Sequence, residues 1–67
     1  MIDPREKAAE CERAIEACTD PERKFALTCL RDLWVAVADD RDRGRPDWHA
    51  QAESIDKVHA DTLKPQE

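Results

Sequence analysis

A chain of 67 residues has room for one domain, and a net charge of -5 argues against nonspecific nucleic-acid binding, which relies on Lys and Arg to displace counterions from phosphates. A single glycine excludes a phosphate-cradling loop. Three Val, three Ile, three Thr and no Tyr leave little material for a sheet, whereas Ala, Glu, Asp and Arg dominate. The expected fold class is all-α.

So short a chain buries only ~60% of the surface its unfolded form exposes. Chains of this size usually need a metal, disulfides, oligomerisation or very good helix packing to stay folded. The first residues lack the basic flank and apolar core of a signal peptide, and no apolar run approaches membrane-spanning length. Three cysteines, an odd number, without an export signal point to reduced thiols in the cytoplasm. No membrane partner is expected.

The first helix is predicted over 4–18. Asp3-Pro4-Arg5-Glu6 combines a good N-cap, a proline suited to the first helical position and an acidic group in the first turn. Ala8, Cys11, Ile15 and Cys18 then recur at spacings of 3, 4 and 3, a narrow apolar seam. Glu10, Glu12, Arg13 and Glu16 form a mostly acidic solvated side.

Thr19-Asp20-Pro21-Glu22 ends this helix and starts the next, predicted over 21–38. Pro21 cannot continue the first helix, and acidic groups in a first turn suit the helix dipole. So short a link forces an antiparallel hairpin. A mirror about Asp20 would set Ile15 against Phe25 or Ala26, Cys11 against Cys29 or Leu30, and Ala8 against Leu33. Phe25, Leu27, Cys29, Leu30, Leu33, Trp34 and Val37 cover more than half the helical wheel, yet packing against one neighbour needs a stripe of about 100°. The second helix therefore needs two partners.

Asp39 to Pro46 reads as a polar connector in which Arg41, Arg43 and Arg45 alternate with aspartates, so the local charge is close to neutral. A third helix is predicted over 47–62, with Trp48, Ala52, Ile55 and His59 sharing a thin apolar face. The domain then spans 1–63, and 64–67 is expected to be a frayed tail.

The stretch from Glu10 to Ala38 resembles a group of short alphaproteobacterial helical-hairpin proteins without assigned activity. Glu10, Cys11, Ala14, Ala17, Asp20, Pro21, Glu22, Leu27, Leu30, Trp34 and Ala38 fall at the spacings of that pattern. The likeness covers somewhat under half the chain; Cys18, Cys29 and everything after Asp40 depart from it. It implies a helical hairpin and no particular chemistry. Members lacking a third helix would have to cover the second by self-association, whereas this chain could cover part of it with its own tail.

Chemistry-bearing residues are sparse. Cys11 and Cys18 are two turns apart on one helix, ~10 Å, too far for one disulfide or one zinc. Cys11 and Cys29 could lie level across the hairpin, which opens a thiol or metal sensor as an alternative, although free Cys usually packs as a small hydrophobe. His59 is read as a structural histidine, and Ser54 has no evident cleft in which to act. No catalytic residue, cofactor or metal site is assigned.

The expected architecture is an antiparallel hairpin plus a third helix, pairing with a second copy into a dimeric helical bundle through Leu27, Leu30, Trp34, Val37 and Ala38. The expected function is a non-catalytic self-association or protein–protein interaction module, with a homodimer or a partner's helix on that face. A small DNA-binding or antitoxin-like regulator is the rival of a different class. It would need Arg41 to Arg45 to face phosphates.

Overall fold

The structure, a computed structural model, describes residues 2–63. It contains α1 (Pro4–Ala17), α2 (Pro21–Asp42) and α3 (Trp48–Leu63), and the described residues form no strand. The fold is all-α, as composition predicts. The frayed tail expected at 64–67 lies outside the described residues.

Both helix starts follow the local chemistry. Asp3 is extended, and its carboxylate accepts a hydrogen bond from the Arg5 N–H at 3.0 Å, with Pro4 opening α1. Asp20 does the same for α2, accepting from the Glu22 N–H at 3.1 Å, with Pro21 in first position. Each carboxylate supplies an acceptor for a backbone donor that the first turn leaves unpaired.

α2 runs one turn beyond the expected boundary at Ala38. The apolar pattern stops there, but nothing in Asp39-Asp40-Arg41-Asp42 breaks a helix. Termination waits for Gly44, whose φ of 77° is the left-handed conformation favoured by glycine. The Gly44 N–H donates to the Arg41 carbonyl and the Arg45 N–H to the Asp40 carbonyl, both at 3.0 Å. That pair of bonds is a Schellman motif, which satisfies carbonyls stranded at the helix end.

α1 and α2 form the antiparallel hairpin. At its open end Asp3 pairs with Arg41 at 3.3 Å and Arg5 pairs with Asp42. A mirror about Asp20 would instead have brought Arg5 level with Val35, so the register is displaced along α2 from the expected one. α3 folds back antiparallel to α2. The Arg23 guanidinium donates to the Thr62 carbonyl at 2.8 Å at one end, and Arg41 lies over the Trp48 ring, 5.9 Å from its centroid, at the other.

The core gathers Ala8 and Cys11 of α1, Leu30, Trp34 and Val37 of α2, and Ala52 of α3, with Ile2, Trp48 and Ile55 packed at its margin. Small side chains on α1 let the α2 backbone approach, and Trp34 fills the space beneath α3. Burying each large side chain contributes about 1.5–3 kcal/mol. α2 is thus the central element, covered by α1 on one flank and α3 on the other.

This arrangement corrects the assigned interface. Leu27, Leu30, Trp34, Val37 and Ala38 are all buried within the single chain, with Leu27 and Trp34 at 0% exposure. Their arc spans about 100° of the wheel, the width of one buried stripe, and α3 occupies the side that had been given to a second copy.

Candidate functional site

Two features of the folded chain bear on function: a buried polar cluster beneath α3, and an apolar strip that the fold leaves uncovered.

The cluster centres on His59, 3% exposed and held by three residues from the other two helices. The Trp34 indole N–H donates to His59 Nδ1 at 3.0 Å, with the two rings edge-to-face at 83°. An indole nitrogen can only donate, so Nδ1 is an acceptor and the imidazole hydrogen sits on Nε2. From there it donates to a Glu10 carboxylate oxygen at 2.7 Å. Cys11 Sγ lies 3.6 Å from Nδ1 on the remaining side. Lys7 reinforces the rim, bridging Asp56 of α3 at 3.3 Å and Glu10 at 3.9 Å.

A thiol, an imidazole and a carboxylate in this order are the parts of a nucleophile, its base and the group that orients the base. Here they are arranged for another task. Cys11 is 0% exposed, and the lone pair on Nδ1 that would take its proton already accepts the Trp34 hydrogen. Burial pushes the Cys11 thiol above its ordinary value, and the Glu10 carboxylate adds to the rise. The reactive thiolate is therefore disfavoured. What the arrangement does is fasten α3, by one side chain, to both helices of the hairpin.

The sequence placed His59 on the apolar face as a structural residue, and the structure buries it there. Its partners were not legible. Glu10 looked like part of the solvated side of α1, and Trp34 could be either core beneath a third helix or an anchor at an interface. Only the antiparallel return of α3 brings residues separated by 25 and 49 positions together.

The three cysteines take different environments, so neither core packing of all of them nor the alternative Cys11–Cys29 pair across the hairpin describes the fold. Cys11 is buried, Cys18 half-buried and Cys29 exposed, all three as free thiols. Cys29 follows Phe25 by four residues on the outer side of α2, whereas Cys11 belongs to the core cluster with Leu30, Trp34 and Val37. Among the described residues no group of three or more His, Cys, Asp or Glu side chains could hold a metal.

The basic connector is neutralised by local ion pairs. Arg41 is bound to Asp3 at 3.3 Å, Arg43 to Asp39 at 3.2 Å and Arg45 to Asp40 at 3.9 Å. Phosphates would have to displace these carboxylates. No helix among the described residues is long and apolar enough to cross a membrane.

The uncovered strip lies on α2 beside α3. Phe25 is 73% exposed and Leu33 50%, with exposed Cys29 midway between them and Ala26 and Ala36 alongside. Four-residue steps advance only ~40° around a helix, so these residues form one continuous ridge. Next to it a groove opens between the helices, lined by Leu33, Ala50, Gln51, Ser54 and Ile55. Val58, 55% exposed, continues the apolar surface along α3. Neither the groove nor the Phe25–Leu33 ridge carries a basic residue; Glu22 and Asp32 flank the ridge.

The apolar excess read from the wheel of α2 is therefore real, but it belongs to Phe25, Cys29 and Leu33. The sequence could not say which part of a wide arc α3 would take. No protein family, curated protein or solved structure matches the chain.

Proposed function

We propose that this chain is a non-catalytic helical interaction module that self-associates through the outer face of α2 and α3. The observation that carries the reading is the strip formed by Phe25, Leu33 and Val58, half exposed or more although the chain has already filled its core. Scattered surface hydrophobes need no explanation, but a contiguous ridge beside an apolar groove marks an interaction surface. Free thiols fit a reducing compartment, and we place the module in the cytoplasm. The deeply buried, protonated Cys11 supports a structural use of the Cys11–His59–Glu10 cluster over a catalytic one.

Sedimentation velocity over a wide concentration range tests this reading. A reversible shift from monomer to dimer is expected, and Phe25→Glu should abolish it while leaving helicity unchanged. A wild-type chain that stays monomeric up to millimolar concentration would refute self-association.

A further inference from the structure

α3 docks on the hairpin with little apolar material. Its buried residues are Ala52 and His59, and Ala52 is small. Docking therefore leans on the imidazole, which is hydrogen-bonded at both nitrogens. Those bonds fix its proton count. Nε2 already carries the hydrogen given to Glu10, so a second proton has only Nδ1 to enter. That lone pair is occupied by the Trp34 indole N–H at 3.0 Å. An indole nitrogen cannot accept in return, so protonation does not reverse the bond; it sets two N–H donors against each other. Cys11 Sγ, 3.6 Å from Nδ1, can take the new hydrogen only as a weak acceptor, and the buried indole N–H is then left without a partner.

The charges facing the ring decide how well a cation fits there. From α1, the Glu10 carboxylate favours it, but that group is partly exposed and shares its charge with Lys7 at 3.9 Å. From α2 come two cations: Arg31, near enough to act on the Cys11 thiol, and Arg23, bound to the Thr62 carbonyl one turn beyond His59. On α3 itself, Asp56 is engaged by Lys7 at 3.3 Å. One solvent-screened carboxylate thus stands against the desolvation of a buried cation and the loss of the indole bond.

We propose that His59 is a pH-sensitive latch: proton uptake at Nδ1 severs the Trp34 bond and releases α3 from the α1–α2 hairpin, uncovering Trp34 and Cys11. The latch concerns the face beneath α3 rather than the outer ridge, and it stands whether or not copies associate.

The test uses the full chain with Cys18→Ser and Cys29→Ser, leaving Cys11, 0% exposed, as the only thiol. It is labelled with a dipyridyl disulfide from about pH 8 to about pH 5, the range in which a free imidazole charges. Each rate is divided by that of the same chain in urea at the same pH, which removes the thiol's own pH dependence. Normalised labelling should climb as pH falls, by up to about tenfold per pH unit, the limit for one linked proton. The Trp34 indole N–H resonance should lose its protection over the same range, while helicity falls by no more than the share of α3. His59→Gln, which offers an amide oxygen and N–H without a titrating ring, should flatten the response; exposed His49 remains in that variant as an internal control. Glu10→Gln keeps an acceptor for Nε2 but removes the charge that supports the cation, so it should move the rise to higher pH. Flat labelling down to about pH 5, or a wild-type His59 ring that takes up its proton while the Trp34 N–H stays protected, would overturn the latch. So would an acid response that survives in His59→Gln.

Discussion

Replacing Trp34 by Phe removes one donor from the centre of the molecule and retains most of an aromatic ring. His59 Nδ1 is then left without the N–H that sits 3.0 Å away. An orphaned buried acceptor costs about 1–3 kcal/mol, and the void left by the shorter ring adds about 1 kcal/mol. Cys11, 3.6 Å from Nδ1, can turn its S–H toward the vacancy, which favours the lower end of the range. A chain of this length has a total stability of roughly 3–10 kcal/mol, so a loss of about 2–3 kcal/mol should lower the melting temperature by roughly 10–20 °C. His59→Leu should cost a similar amount by stranding the indole N–H; Glu10, half exposed, can turn to water. The decisive measurement is the double-mutant cycle in urea, followed by far-UV circular dichroism. Trp34→Phe with His59→Leu removes donor and acceptor together, so its loss should fall short of the sum of the singles by about 1–2 kcal/mol. Singles within about 0.5 kcal/mol of wild type, or an additive cycle, would refute the view that this bond fastens α3.

The cysteines should separate by reactivity under native conditions: Cys29 modified quickly, Cys18 more slowly and Cys11 only on unfolding, as peptide mapping after brief alkylation would show. Because burial raises the folded-state value of the Cys11 thiol, stability should fall as pH climbs from the ordinary thiol range toward that higher value, and Cys11→Ala should flatten this alkaline decline. Asp3 acts in the opposite sense. Desolvation pulls its carboxyl up, but the backbone N–H groups of Arg5 and Glu6 and the Arg41 guanidinium outweigh it and leave the group below its ordinary value. Its stabilisation is complete above the ordinary carboxylate range and disappears as pH falls through the folded-state value, so the acid limb of the Asp3→Asn unfolding curve should be shallower than that of wild type. Gly44→Ala should cost about 1 kcal/mol in thermal unfolding, all of it from the left-handed backbone, since an added Cβ would meet nothing within 4 Å.

Local chemistry determined a great deal from sequence alone. Asp-Pro starts at 3–4 and 20–21 set the beginnings of α1 and α2, because capping and proline geometry act within a few residues of where they are written. The apolar width of α2 announced that one neighbour would not suffice. The end of α2 was less legible, because apolar periodicity fades at Ala38 while the stop signal, a glycine that can adopt positive φ, stands six residues later. What tertiary structure alone decided was the allotment of the α2 wheel. Seven apolar positions offer several 100° stripes, and which one becomes core depends on where a helix that begins eleven residues beyond the last of them comes to rest. That resting place depends on His59 finding Trp34 and Glu10, a set of hydrogen bonds made between helices rather than along one. So Trp34, which spacing left as either core or interface anchor, is the largest fully buried side chain, and Phe25, expected against α1, stands in solvent.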